Sequence, residues 1–283
     1  MSGIDTLLVA YGTSRVRSTF VHPTGPNEII TMGTGFWVAF QSWNPIFITN
    51  KHNFDLKMTH GEDCVLVLEK VEIELRKRDA TGQWLPETKF FSIAQPIETI
   101  VSSCNADCSI VPNPAWEERD SDFWWGVVTQ KPEEIADQNF MISKIAMMDR
   151  LSFVGFPGNS RSQWWDTRSN LPIARSATIS SIPHIPFENP NIKVKDVTLV
   201  DGFSFKGSSG SPVFSLQKGI PLAGGGDHPA FAMPKIVGIM SGHFNDEDRI
   251  PDILQKNPGL SYYTRATSII DLFISAKICP FSK

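Results

Sequence analysis

Apolar positions along this chain fall in short runs rich in β-branched and aromatic residues, separated by Gly, Pro, Asn and Asp, a pattern that predicts strands joined by turns. In the first half these runs cover residues 18–21, 28–32, 35–40, 46–49, 65–75, 89–93 and 108–111. In the second half they cover 152–156, 173–182, 192–200, 212–216, 235–240 and 260–263. Many short strands at this spacing point to barrels or a sandwich, not to an alternating α/β sheet. Two helices are expected. One opens at Pro132-Glu133-Glu134-Ile135-Ala136-Asp137, where proline and acids suit a first turn. The other has Ser268 as N-cap, Asp271 three residues later, and Ile269, Ile270, Phe273, Ile274 and Ile278 on one face, to be packed on its own domain. Between the halves, residues 114–149 read as a connector that is acidic from Glu117 to Asp122 and aromatic at Phe123-Trp124-Trp125. The expected division is 1–113, 114–149 and 150–283, and no internal repeat is visible.

Composition narrows the partners. A length of 283 residues suits one large domain or two moderate ones, and an apolar share of 41% is ordinary for a soluble globular chain. A net charge of −4 argues against a nucleic-acid binder, which must neutralise phosphates. The densest basic patch, Glu74-Leu75-Arg76-Lys77-Arg78, reads as a solvated strand end. The first residues carry no basic leader ahead of an apolar run, and no apolar stretch approaches 18 residues, so the expectation is a cytoplasmic protein with no membrane partner. The cysteines Cys64, Cys104, Cys108 and Cys279 fit buried or neutral thiols. Cys104 and Cys108 could form half of a metal site, but no His–Cys cluster completes four ligands, so no metal is expected.

Candidate chemistry enters with Gly207-Ser208-Ser209-Gly210-Ser211-Pro212. A serine attacking a carbonyl needs backbone N–H groups aimed at the developing oxyanion, and a glycine two residues before the serine permits the required turn. Gly207 and Gly210 set the register, which makes Ser209 the expected nucleophile and Ser208 and Ser211 decoys. A serine nucleophile also needs a base and a carboxylate that orients it. Of the six histidines, His52 follows a strand end, whereas His22, His60, His184, His228 and His243 sit in apparent surface loops. Asp107 immediately precedes a strand and is the expected orienting carboxylate; Asp55 and Asp63 are nearer in sequence but lie in polar loops. The order His52, Asp107, Ser209 is that of chymotrypsin-like enzymes, not of subtilisins or α/β-hydrolases.

Together, Gly33-Thr34-Gly35-Phe36, Thr49-Asn50-Lys51-His52, Ala106-Asp107-Cys108-Ser109-Ile110 and residues 207–214 resemble the blocks of trypsin-like serine peptidases. The likeness is to the bacterial branch with Thr-Asn-x-His and Gly-x-Ser-Gly-Ser-Pro-Val blocks. Val154-Gly155-Phe156-Pro157-Gly158 and Leu171-Pro172-Ile173-Ala174-Arg175 extend it, so that it spans about residues 30–245. The resemblance implies an all-β fold of two perpendicular six-stranded antiparallel barrels with a C-terminal helix. It implies His52 and Asp107 from the first barrel and Ser209 from the second. The N–H groups of Gly207 and Ser209 would hold the oxyanion. Phe203 and Ser204 before the nucleophile, with Met240, Ser241 and Gly242 after it, would border the specificity pocket. No metal or organic cofactor is implied.

Departures from the family pattern sharpen the expectation. Ser208 stands where digestive trypsins carry the aspartate that pairs with a freed N-terminus, so that route of activation is closed. No acid sits at the pocket base, and the histidine of glutamate-specific relatives is absent near Met240, with His243 out of register. An uncharged or apolar residue before the cut is therefore expected. Trp124-Trp125 and Trp164-Trp165 are expected to pack loops onto the core, although they could line a groove. The leading function is a serine endopeptidase acting on protein or peptide substrates. The alternatives are a silent peptide-binding scaffold on the same fold and an esterase using the same triad.

Overall fold

The computed structural model describes residues 6–39, 45–118, 120, 122–124, 130–158, 162–190, 192–219, 231–244 and 259–278. In the first half, β1 (Thr13–Val21), β2 (Glu28–Ala39) and β3 (Pro45–Thr49) run antiparallel in sequence order. They are joined by β4 (Val67–Arg78), β5 (Trp84–Ser92), β6 (Val101–Ser102), β7 (Ser109–Pro112) and β8 (Phe123–Trp124). The resulting sheet has eight strands, ordered β5-β4-β1-β2-β3-β7-β6, with β8 added on β4. The second half contributes β9 (Arg150–Gly155), β10 (Ile173–Ile179), β11 (Val197–Asp201), β12 (Pro212–Ser215), β13 (Ile236–His243) and β14 (Leu260–Arg265). These close into a barrel in the order β10-β11-β14-β13-β12-β9.

The architecture is mostly β and of the double-barrel type. Its second half is the expected closed six-stranded barrel. Its first half departs from six strands in having eight: the short β6 adds to β7, and β4, 12 residues long, pairs with β1, β5 and the connector strand β8. The connector thus belongs partly to the first sheet.

Two apolar clusters explain the packing. One, with Val16, Trp37, Phe47, Val71, Ile73, Phe91 and Val111, fills the first half. The other runs across both halves, joining Phe36, Val38, Ile46, Ile48 and Ile110 to Phe153, Val213, Ile239 and Phe273. Alternate residues of β2 and β3 therefore face opposite cores. This accounts for their uninterrupted apolar runs, since a strand buried on both faces has no polar side to show. The same arrangement seals the halves along a seam, and the strand ends of that seam carry the candidate site.

Several expectations need correction. The helix read at residues 132–137 begins later: Pro132–Glu134 is a 3-10 turn, and the α-helix is Gln138–Lys144, where the Asp137 carboxylate accepts from Phe140 N at 2.7 Å as N-cap. The terminal helix, Ala266–Ser275, starts before Ser268, whose hydroxyl instead donates to Asp196. Leu272 lies on its buried face with Ile269 and Phe273, while Ile274 is exposed. Glu74 and Arg76, in the patch read as solvated, are 4% and 7% exposed. Phe40, Trp125, His228 and Cys279 lie outside the described residues. No helix among the described residues is long and apolar enough to cross a membrane.

Candidate active site

The antiparallel register pairs Thr49 at the end of β3 with Ser109 at the start of β7, so the residues just beyond leave the sheet side by side. Lys51–Asn53 turns as a 3-10 helix, closed by Phe54 N donating to Lys51 O at 2.8 Å. That turn brings His52 against Asp107. The Asp107 carboxylate, with no solvent exposure, accepts the His52 main-chain N–H at 2.9 Å and the ring Nδ1–H at 2.7 Å. Two bonds from one carboxylate fix both the position and the tautomer of the ring, leaving Nε2 with the free lone pair. Burial works against the imidazolium, but the charge and hydrogen bond of Asp107 outweigh it and hold the His52 pKa above its ordinary 6.5. Tyr262 nearby is pushed up to about 12 by burial, with the Asp107 charge adding to it.

Asn50 secures this arm from behind. Its Nδ2 donates to Asp107 O at 2.8 Å and to Ser241 Oγ at 2.9 Å, and Ser241 Oγ lies 2.7 Å from Thr264 Oγ1. The carboxylate strand of the first half is thereby tied to β13 and β14 of the second. The sequence block Thr49-Asn50-Lys51-His52 contains Asn50 without revealing this role, because Ser241 lies 191 residues away.

The serine arm is built from backbone. Gly207 and Gly210 have φ of +86° and +93°, the left-handed region that favours glycine. A Cβ at Gly210 would strike Thr34 O, and one at Gly207 would strike Phe156 O. Gly210 N donates to Met240 O and Met240 N to Ser211 O, each at 2.9 Å, seating the loop on β13 as it enters β12. Ser209 O accepts from Thr34 N at 2.7 Å and from Asn53 Nδ2 at 3.4 Å. The residue after His52 therefore touches the backbone of Ser209, which brings the three candidate catalytic residues to one place on the seam. Thr34, between two glycines in the sequence, also donates its hydroxyl to Gly207 O at 2.7 Å.

Of the neighbouring serines, Ser208 and Ser211 are 1% and 0% exposed and their hydroxyls have no partner among the described residues, whereas Ser209 is half-buried. Among the described residues, neither the Gly207 nor the Ser209 N–H donates to a protein acceptor. The Ser209 hydroxyl makes no hydrogen bond to His52 in this arrangement.

The expected pocket residues separate into two groups. Phe203 is half-exposed and stacks on Phe205 at 6.4 Å. Ser204 is buried, its N–H donating to Ser261 Oγ at 3.1 Å and its hydroxyl 3.3 Å from His243 Nδ1. A Cβ at Gly242 would meet the Tyr262 hydroxyl at 2.6 Å. Met240 and Ser241 are buried, Met240 within the core that spans both halves and Ser241 in the Asn50 link. Trp164 meets Phe205 edge-on at 4.6 Å and remains half-exposed, and Trp165 meets Phe156 at 5.8 Å. Asp55 accepts from Lys57 N at 3.1 Å, and Asp63 is exposed.

No protein-family model matches the chain, and no curated protein matches its sequence. Among solved structures it is similar to the crystal structure of Deg5, with 10% identity and a TM-score of 0.46 over 94% of this chain and 90% of that one.

Proposed function

We propose that the chain is a serine endopeptidase in which Ser209 Oγ attacks a peptide carbonyl, His52 takes and returns the proton, and Asp107 orients His52. The observation that carries the reading is the double hold of Asp107 on His52, at 2.9 and 2.7 Å, beside a serine loop whose two glycines have positive φ. A buried carboxylate that fixes one imidazole tautomer stabilises the imidazolium formed as the serine loses its proton. The N–H groups of Gly207 and Ser209 stabilise the oxyanion of the tetrahedral intermediate. The leaving amine takes the proton from His52 Nε2, and water, deprotonated by the same nitrogen, hydrolyses the acyl-enzyme.

The half-exposed Phe203 and Trp164, each against Phe205, favour a large uncharged side chain before the cut. Profiling a peptide mixture by mass spectrometry checks both levels of the reading. Endoproteolysis after apolar residues, absent in Ser209→Ala, is the expected result. Cleavage confined to Arg, Lys or Glu overturns the specificity, and cleavage that persists in Ser209→Ala overturns the nucleophile.

A second reading, a silent peptide-binding scaffold, draws on the missing Ser209–His52 hydrogen bond. Such bonds are commonly long before substrate arrives, so geometry without substrate leaves the catalytic reading in front.

A further inference from the structure

Three charged residues of β4, Glu72, Glu74 and Arg76, alternate with Val71, Ile73 and Leu75 of the core face, yet all three are less than 9% exposed. Glu72 and Glu74 are paired with Arg17 and Arg15 of β1, whereas Arg76 reaches residues of the second half. Arg76 Nη1 donates to Leu85 O at 2.9 Å and to Ser169 O at 2.8 Å, and its Nη2 donates to Asn170 O. Asn170 returns a bond across the same boundary, Nδ2 to Pro86 O at 3.0 Å. The segment it holds is closed on itself: Asp166 and Leu171 exchange main-chain bonds at 3.2 and 3.1 Å, and the Asp166 carboxylate accepts from Arg168 N and Ser169 N. Beside it, Arg15 is paired with Glu74, and its guanidinium lies 5.6 Å from the Phe156 ring and 5.1 Å from the Trp165 ring.

From these rings the packing leads directly to the serine loop. Gly158 N donates to Lys206 O at 2.6 Å. Phe156 N donates to the Thr34 hydroxyl at 3.1 Å, and that hydroxyl donates to Gly207 O. Trp164, bonded through its N–H to Pro157 O at 3.1 Å, rests on Phe205.

We propose that Arg76, with Arg15 beside it, is a positioning residue: it clasps residues 166–171 to β4 and β5 and through them sets the orientation of the Gly207 N–H. Arginine suits the task because its planar fork can serve three carbonyls at once, while a lysine ammonium is a point donor without that fork. None of the clasp's hydrogen bonds involves His52 or Asp107, so it acts on one arm of the site. The inference rests on the reading of Gly207 as an oxyanion donor.

The test compares wild type, Arg76→Lys and Arg15→Lys on one peptide substrate, with amide hydrogen exchange followed at Gly158 and at His52. In Arg76→Lys, kcat is expected to fall about 10–100-fold with KM within about twofold, as a small misplacement of a transition-state donor does. Affinity for a peptide aldehyde should fall in parallel, while an uncleavable reduced-amide peptide binds as before. Exchange at Gly158 should rise and that at His52 should not. Arg15→Lys, which keeps the charge on Glu74, should show the same pattern more weakly, and it carries the test if Arg76→Lys does not fold. An unchanged kcat with only a lower melting temperature overturns the clasp. If the wild type proves inactive toward peptides while Gly158 exchange still rises in Arg76→Lys, the clasp stands as a structural device and the peptidase reading falls.

Discussion

His52 is fixed by side-chain charge, whereas Ser209 is fixed by backbone shape. On the histidine arm a buried carboxylate makes two bonds to one residue, and Asn50 ties that carboxylate's strand to Ser241. On the serine arm every contact is made through the loop's own backbone, with Thr34, Asn53 and Met240 as partners, and the loop requires two residues with positive φ. The histidine arm can therefore be tuned by pH and by changes of charge. The serine arm responds to changes of shape, and it is the arm that the arginine clasp reaches. The halves of the molecule meet where these two kinds of constraint meet.

The largest effects are expected at the reacting groups. Ser209→Ala and His52→Ala should each lower kcat by about 10⁶-fold, and the double variant should lose little more, because the two act as one unit. Steady-state kinetics on the three proteins checks this. Asp107→Asn should cost about 10⁴-fold in kcat by releasing the tautomer, with the fold retained in circular dichroism. Gly207→Ala should cost about 10²–10³-fold by displacing one oxyanion donor. Gly210→Ala has the collision with Thr34 O added to its positive φ, and should lower stability by about 1–3 kcal/mol or more in denaturant unfolding.

The smallest expected effect is one of pH and belongs to the histidine arm alone. The base must be neutral, and Asp107 raises the His52 pKa, so the acid limb of kcat/KM should have its midpoint above pH 6.5. In Asp107→Asn, burial remains without the compensating charge, and the midpoint should move down. For stability the sign follows from the raised pKa. The His52–Asp107 contribution is fully present below the unfolded pKa of 6.5 and is lost as pH rises through the folded value. Asp107→Asn should therefore cost more stability at pH 6 than at pH 9, as urea titrations at the two pH values would show.

The strands were legible in the sequence because β-branched and aromatic runs broken by turn residues have few other ways to bury themselves. The sequence pattern splits the long β2 into two pieces, since Gly33 and Gly35 look like a break; in the structure they admit Asn53 and the Phe47 ring against the strand. The candidate residues His52, Asp107 and Ser209 were legible through order and local context, and the structure brings them to one seam. The burial of Glu74 and Arg76 was not. Alternating charge on a strand reads as a solvated face, and what covers Arg76 arrives from 93 and 94 residues away. The Asn50–Ser241 link was hidden for the same reason. In both cases a polar residue is buried by a partner that only the tertiary fold supplies.

Activation of Ser209 by His52 can be read out by labelling the protein with a fluorophosphonate and mapping the adduct by mass spectrometry. One adduct is expected, on Ser209, lost in His52→Ala while the fold is retained. An adduct on another residue, or labelling of Ser209 that is unchanged in His52→Ala, would contradict it.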